Sequence, residues 1–169
     1  MKHKKGFTLI EMLLSITIIA IIGVVGTIYF LNLRDRKILD ETAEEIVFAL
    51  RNAQQKSISQ EIGPDGEVLY WGICFINSGE GNNSYELCSD SCVFLGGEET
   101  YCISTSFFDR SAVFLNPSSG NRSFIGFIKR TGERRNLLSY YTSTVTIALT
   151  RDNSISKTIN VNEKGVISY

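Results

Sequence analysis

Hydrophobic and polar positions divide the chain into three successive patterns, and the first is an almost unbroken apolar run. Residues 7–31 read FTLIEMLLSITIIAIIGVVGTIYFL, with a single charged side chain at Glu11. A helix rises about 1.5 Å per residue, so this run is longer than the roughly 30 Å hydrocarbon core of a bilayer. The first pattern therefore predicts a membrane-spanning helix.

The second pattern is polar but keeps a helical period. Its apolar stripe consists of Leu39, Ala43, Ile46, Val47, Leu50 and Ala53, with Ile58 at the edge. This spacing is typical of an amphipathic helix with one face toward a core. Neither proline nor glycine interrupts residues 27–62, and Gly63-Pro64-Asp65-Gly66 is a strong turn sequence. We predict one helix from about Thr8 to about Gln60.

The third pattern alternates with period two and is rich in β-branched and aromatic residues. It predicts strands at residues 67–76, 101–106, 112–115, 123–129, 144–150, 156–162 and 165–169. Hairpin turns are expected at residues 151–154 and 162–165. A long helix followed only by strands predicts an α+β fold, with an antiparallel sheet packed on the amphipathic half of the helix.

Composition narrows the possible functions. The 169 residues carry a net charge of −1, so the chain has no protein-wide basic field. The single histidine, His3, argues against a His-based catalytic triad and a His-rich metal site. The sequence contains no G-x-S-x-G, Walker A, H-E-x-x-H or dinucleotide-binding motif. We therefore expect no enzyme activity, no cofactor and no catalytic metal.

The residues around the apolar run indicate how it is inserted. Lys2, Lys4 and Lys5 precede it, and three basic residues, at positions 34, 36 and 37, follow it. Because long polar domains are translocated largely regardless of charge, we expect a cytoplasmic amino end and an exported head. No A-x-A cleavage pattern follows the run, which leaves a plain signal anchor as the simple alternative.

The short basic leader followed by Gly6-Phe7-Thr8-Leu9-Ile10-Glu11 resembles the prepilin signature of type IV pilins and type II secretion pseudopilins. The resemblance implies that a prepilin peptidase cuts between Gly6 and Phe7 and methylates the new amino group of Phe7. It also implies that Glu11 meets the Phe7 amine of a neighbouring subunit during assembly. An unpaired carboxylate in a membrane is costly, and a partner's cation relieves that cost.

The same resemblance divides the chain into a leader (1–6), an assembly helix (7–33), the amphipathic half of the helix (34–62) and a β-rich head (63–169). It implies residence in the inner membrane, followed by a filament that is periplasmic or on the cell surface. The implied partners are other pilin or pseudopilin subunits, the peptidase, the inner-membrane assembly platform and, before assembly, membrane lipid.

Two further segments resemble the GspH/FimT branch of minor pilins and pseudopilins. They are ETAEEIVFALRNAQQKSI at residues 41–58 and ISKTINVNEKGVI at residues 155–167. This branch implies a minor structural subunit of a pilus or secretion pseudopilus. A major pilin, and a minor pilin that binds DNA or a secreted cargo, stay open as alternatives.

All four cysteines lie in the head, at Cys74, Cys88, Cys92 and Cys102. An even number of cysteines in an exported domain predicts two disulfides, whose pairing the sequence leaves open. A four-thiolate zinc site is the alternative, although only Cys88 and Cys92 are closely spaced. Residues 78–100 are otherwise rich in Gly, Ser, Asn and Glu, so we expect a tethered surface loop there.

Charge is divided unevenly along the head. Residues 40–109 carry 13 acidic and two basic residues, whereas residues 110–169 carry nine basic and three acidic ones. The second group includes the cluster Lys129, Arg130, Arg134 and Arg135, which Arg110, Arg122 and Arg151 could extend. Such a cluster can contact DNA phosphates or an acidic face of a neighbouring subunit. Compensation within one head is the simpler alternative.

Overall fold

The protein is described from a computed structural model. The described residues are 8–63, 70–78, 83–89, 102–107, 112–118, 120–134 and 142–169. The chain forms two compact units, Met1–Lys37 and Ile38–Tyr169. Each unit is considered by itself below.

One long helix, α1, runs from Leu9 to Ile58. The predicted helix is thus confirmed, and its ends differ from the prediction by one or two residues. The helix ends in a Schellman arrangement, in which the N–H of Glu61 donates to the carbonyl of Lys56 and Gln60 adopts a φ of 57°. A residue other than glycine adopts this left-handed backbone conformation at a cost of about 1 kcal/mol. The side-chain oxygen of Gln60 also accepts a hydrogen bond from the Arg130 side chain.

The described residues of the second unit form eight strands. In chain order they are β1 (Tyr70–Ile76), β2 (Ser84–Ser89), β3 (Cys102–Phe107), β4 (Ala112–Asn116), β5 (Arg122–Ile128), β6 (Thr144–Leu149), β7 (Ser156–Val161) and β8 (Ile167–Ser168). They form two four-stranded sheets with the orders β3-β2-β1-β5 and β4-β6-β7-β8. All paired neighbours are antiparallel, so the α+β fold with an antiparallel head is confirmed.

Every predicted strand has a counterpart, but the expected surface loop at residues 78–100 is wrong for its middle part. Residues 84–89 form β2, which pairs with both β1 and β3 and has Tyr85 and Leu87 in the core. Tyr85 and Leu87 are the only residues of β2 in this core cluster, and the residues around them are mainly Ser, Asn and Glu. An alternating pattern this short does not distinguish a strand from a polar loop. Residues 79–82 and 90–100 lie outside the described residues.

The predicted helix stripe forms one side of the main core. Leu39, Ala43, Ile46, Val47, Leu50 and Ala53 are at most 4% exposed. They share one cluster with Trp71, Ile73 and Phe75 of β1 and with Val145, Ile147 and Leu149 of β6. Alternate residues of each strand point to the same face of a sheet, so both sheets present one apolar face to this cluster.

Two polar side chains near the end of α1 join the helix to both sheets. The Gln54 amide donates to the carbonyls of Gly132, beyond β5, and Gly165, between β7 and β8, at 2.9 and 3.0 Å. The Ser57 hydroxyl donates to the Phe127 carbonyl at 2.8 Å and accepts the Trp71 N–H at 3.0 Å. These bonds satisfy buried polar groups and fix the turn that follows β5 against the end of the helix.

Candidate functional site

Among the side chains that the structure describes, those of the amino-terminal half of α1 form no core of their own. Between Leu9 and Phe30, the large apolar side chains that the structure describes are 48% to 79% exposed. Among the described residues, α1 is the one helix that is long and apolar enough to cross a membrane, judged by length and composition. A helix that is apolar on all sides needs lipid or other apolar helices around it.

The polar side chains inside this apolar half are satisfied locally. The hydroxyls of Ser15, Thr17 and Thr27 each donate to the carbonyl four residues earlier, at 2.7 to 2.8 Å. Such bonds remove the need for water or for a partner chain. In the described part of the apolar half, Glu11 is therefore the group whose burial in an apolar medium would cost most.

Glu11 is held by Thr8 in a capping box at the start of the helix. Its Oε2 accepts hydrogen bonds from the Thr8 backbone N–H at 2.9 Å and from the Thr8 hydroxyl at 2.8 Å. In return, the Glu11 N–H donates to Thr8 Oγ1 at 3.4 Å. This arrangement satisfies amide groups that the first helical turn leaves unpaired, and it fixes the direction of the carboxylate.

The role of Thr8 was missed in the sequence, although the signal was present. A Thr followed three residues later by Glu, directly before an apolar run, is the sequence signature of a capping box. Gly6 and Phe7 lie outside the described residues. Cleavage between them would leave Phe7 in place, so the Thr8 amide that contacts Glu11 would remain a peptide N–H.

The structure brings Lys129, Arg130 and Arg134 together in one tight turn after β5. The Ile128 N–H donates to the Glu133 carbonyl at 2.8 Å, and the Arg130 N–H donates to the Ser57 carbonyl at 3.0 Å. Arg130 has a φ of 74°, so this hydrogen bond to the helix fixes an unusual backbone conformation. Arg135, the fourth predicted member of the cluster, lies outside the described residues.

The turn between β7 and β8 lies directly beside this basic turn. The Arg134 N–H donates to the Glu163 carbonyl at 3.0 Å, so Glu163 and Lys164 belong to the same surface region. The region thus combines four cations with the carboxylates of Glu133 and Glu163. Mixed charge of this kind weakens a purely phosphate-binding interpretation.

Two of the proposed extensions of the basic cluster are wrong. Arg122 begins β5, whereas Lys129 follows its end, and about six residues of extended strand separate them by roughly 20 Å. Arg151 lies in the turn before β7, at the opposite end of that strand from Glu163 and Lys164. Arg110 lies outside the described residues. The described members of the predicted cluster, Lys129, Arg130 and Arg134, therefore form a compact group just after the end of β5.

The cysteines stabilise the sheet that contains β2. Cys88 and Cys102 are joined by a disulfide across the β2–β3 pair, and Cys74 on β1 is also disulfide-bonded. Cys92 lies outside the described residues. Glu86 lies near the sulfurs of Cys88 and Cys102, but sulfurs that are bonded to each other are not thiolate ligands, so this structure is incompatible with a four-thiolate zinc site.

Comparison with family models gives a match to the amino-terminal part of the chain. Residues 1–27 match the family model described as the prokaryotic N-terminal methylation motif. No curated protein and no solved structure gives a significant match. The motif match supports a place among type IV pilins and pseudopilins and implies processing by prepilin peptidase. The matched motif is typical of pilin-type structural proteins, not of an enzyme family.

Proposed function

We propose that this protein is a structural subunit of a pilin-like filament, assembled through the apolar half of α1. The observation that carries this proposal is the joint occurrence of the methylation motif at residues 1–27 and an apolar helix whose side chains lack a core. In the membrane, lipid would cover these side chains. In a filament, the helices of other subunits would replace the lipid.

Processing would make the subunit competent for assembly. Cleavage between Gly6 and Phe7 would remove three lysines and His3 and create an amino group at Phe7, which would then be methylated. The helix would be retained, because the cut precedes the apolar run. The amino end would face the cytoplasm, and the head would face the periplasm or the cell surface.

Glu11 would select the register between neighbouring helices. The capping box holds its carboxylate at the very start of the helix, next to the position at which cleavage creates a cation. The Phe7 amine of a neighbouring subunit would pair with this carboxylate in an apolar surrounding, where an unpaired charge is costly. Extraction of the helix from the bilayer would need the inner-membrane assembly platform.

A minor pilin or pseudopilin of the GspH/FimT type is the more specific form of this proposal. It is supported by residues 41–58 and 155–167, whose resemblance to that branch was noted in the sequence. In the structure, residues 41–58 lie in the head part of α1, the segment 38–58 that belongs to the second unit, and residues 155–167 belong to the β7–β8 hairpin. The Gln54 amide joins the two segments by a hydrogen bond to the Gly165 carbonyl. A major pilin of the same architecture is the alternative.

DNA or cargo binding is the second candidate function. The observation in its favour is the convergence of Lys129, Arg130 and Arg134 in one turn beside Lys164. Two carboxylates interrupt this region, and Arg122 and Arg151 are remote from it. The basic turn therefore supports an interaction with another protein subunit better than an extended contact with DNA phosphates.

Amino-terminal analysis of the chain recovered from membranes and from sheared filaments tests the proposal. The expected mature chain begins with methylated Phe7, and Gly6→Val blocks its formation. Lys2→Ala is the control, because it alters the leader while leaving the cleavage position intact. A mature chain that begins at Met1, or downstream of Leu31, would exclude the proposal.

A further inference from the structure

A groove lined by aromatic and charged side chains lies beside the head part of α1. It has a volume of about 610 Å³, and it is lined by Glu41, Glu44, Glu45, Val47, Phe48, Arg51 and Tyr169. All of these residues belong to the Ile38–Tyr169 unit. The groove therefore combines two aromatic rings with three carboxylates and one cation, Arg51, so that its charge is negative on balance.

Phe48 lies outside the apolar stripe that packs in the core. Its neighbours Val47 and Leu50 are buried, whereas Phe48 is 72% exposed. Tyr169, across the groove, is 56% exposed. The ammonium of Lys157 in the same head already lies 5.3 Å from the centroid of its ring, so Phe48 is the ring that a partner's cation would meet. An aromatic ring beside carboxylates suits a partner that brings both cations and aliphatic side-chain stems, because the ring attracts the cation and covers the stem.

One carboxylate of the groove is fixed in position from within the head. The Tyr85 hydroxyl on β2 donates to Glu45 Oε1 at 2.6 Å. The helical spacing of Glu41, Glu44, Glu45 and Phe48 places all four on the same side of α1. The groove therefore holds one of its three carboxylates, that of Glu45, in a fixed position.

The complementary surface lies at the other end of the head part of α1. The basic turn contacts the helix at Ser57 and Gln60, about 12 residues beyond Glu45. At 1.5 Å per residue, the two surfaces are displaced by about 18 Å along the helix. They cannot meet within one head, but two parallel heads displaced by that distance would bring them together.

We propose that the groove receives the basic turn of a second copy of this chain. Lys129 and Arg130 of one head would lie over Glu44 and Phe48 of the next, with the two heads related by a displacement of about 18 Å along α1. Because the two contacting surfaces differ, the contact is heterologous and repeats without closing. This inference rests on the proposed filament, in the form in which copies of this chain are neighbours, and it adds the head surfaces that meet in it.

The size of the groove explains why the contact needs the filament. A single turn seated in one groove buries far less than the roughly 1,200–2,000 Å² of a stable independent interface. Helices that are already assembled would raise the local concentration of each head near its neighbour. The head contact would then fix the displacement between subunits rather than provide the main affinity.

Photo-crosslinking in sheared filaments of the full chain tests this contact. With a benzophenone amino acid at position 48, we expect a crosslinked dimer of this chain whose partner peptide contains residues 129–134. The same probe at Phe107 is the matched control, because Phe107 is 71% exposed but lies on β3. A crosslink from position 48 to a different protein, or to another part of this chain, would overturn the proposal.

Charge exchange provides the second measurement. Glu44→Lys alone and Arg130→Glu alone should each lower the crosslink yield from position 48 about tenfold, which corresponds to about 1.4 kcal/mol of lost charge pairing. The two substitutions together should restore most of the yield. An unchanged yield in both single variants, or no recovery in the double variant, would contradict the pairing.

A probe in the apolar helix separates failure of this contact from failure of the filament proposal. A benzophenone at Leu13 should crosslink copies of the helix in the filament fraction. If Leu13 crosslinks while position 48 does not, the filament proposal survives and the head contact is wrong. If no filament fraction contains the chain, both proposals fail.

Discussion

A Cβ atom on Gly165 would overlap the carbonyl oxygen of Gly132. The two glycines belong to different sheets, one in the turn after β5 and the other in the turn between β7 and β8. Both have positive φ, 68° at Gly132 and 79° at Gly165, and Gln54 donates to both carbonyls. The contact among Gln54, Gly132 and Gly165 therefore holds both turns against the helix and positions the basic turn. The two turns approach so closely that only glycine fits at position 165.

Gly165→Ala should therefore lower the free energy of unfolding of the head by about 2–4 kcal/mol, the sum of backbone strain and steric overlap. Gly120→Ala is a matched control, since Gly120 has a φ of 76° but open space around its Cβ position. It should cost only about 1 kcal/mol. Urea unfolding of the detergent-solubilised chain, followed by circular dichroism, measures both. Equal losses in the two variants would contradict the packing argument.

Tyr85 should give the head a sensitivity to alkaline pH. Burial, and then the hydrogen bond to Glu45, raise the pKa of Tyr85 from 10.0 to about 12. Folding thus favours the neutral phenol, so this stabilisation is complete below pH 10 and is lost as the pH rises from 10 toward 12. The measurement is phenolate absorbance, compared with that of Tyr85→Phe. A Tyr85 midpoint near 10 would contradict the expectation.

The helix, the strand-rich head and the core stripe could all be predicted from the sequence, because each depends on a local period. The stripe that includes Leu39, Ile46 and Leu50 is buried as its spacing requires. The strand β2 was missed because its alternation is short and its composition resembles a loop. Local periodicity carries no information about which strands pair, so the division into two sheets could not be predicted.

The candidate site was predicted in part. The sequence was sufficient to identify Glu11, Lys129 and Arg130 as candidate charged residues of the site. The hydrogen bond between Arg130 and Ser57 could not be predicted, because the two residues are 73 positions apart and no local pattern indicates their contact. Arg122 and Arg151 were wrongly assigned to the basic cluster for a similar reason. Residues that are close in sequence can lie at opposite ends of a strand, and the sequence alone did not show at which end each arginine lies. Thr8 was overlooked despite a readable capping motif.

The cysteines should be oxidised in the exported protein. Alkylation under denaturing conditions should find no free thiol, and a non-reduced digest should contain the peptide linked through Cys88 and Cys102. Replacing both of these residues by serine should cost about 3 kcal/mol of stability, as expected for a bridge that closes a loop of 14 residues. The reduced chain, with four reactive thiols, is the control. Four reactive thiols in the untreated exported chain would contradict this prediction.

DNA binding by the full chain in detergent should be weak and only modestly dependent on salt. The four cations of the basic region, Lys129, Arg130, Arg134 and Lys164, would give a slope of log K against log salt no steeper than about −4, since each phosphate contact contributes about −0.9. Fluorescence anisotropy with a duplex over a range of salt concentrations measures this slope. A slope near −8 would require a larger cationic surface, and the DNA-binding alternative would then replace the subunit contact.

Glu11→Ala should enter the membrane normally and assemble poorly. Removing a carboxylate avoids an insertion cost of about 2.5–3.5 kcal/mol, so membrane levels should not fall. In the filament the amine of the neighbouring Phe7 would lack its partner, and we expect the assembled fraction to drop about tenfold or more. Immunoblots of membrane and sheared-filament fractions measure the two quantities separately.

Two companion variants separate the charge of Glu11 from its position. Glu11→Gln keeps a side-chain oxygen that can accept the Thr8 hydrogen bonds, yet it should assemble as poorly as Glu11→Ala, because it lacks the charge. Thr8→Val keeps the charge and loses the hydroxyl contact with Glu11, so it should lose only about 1 kcal/mol, roughly a fivefold effect. Ser15→Ala controls for removal of a polar group from the same apolar helix. Assembly of Glu11→Gln at the wild-type level would show that the carboxylate acts as a helix cap alone, and the pairing with a neighbouring amine would then be wrong.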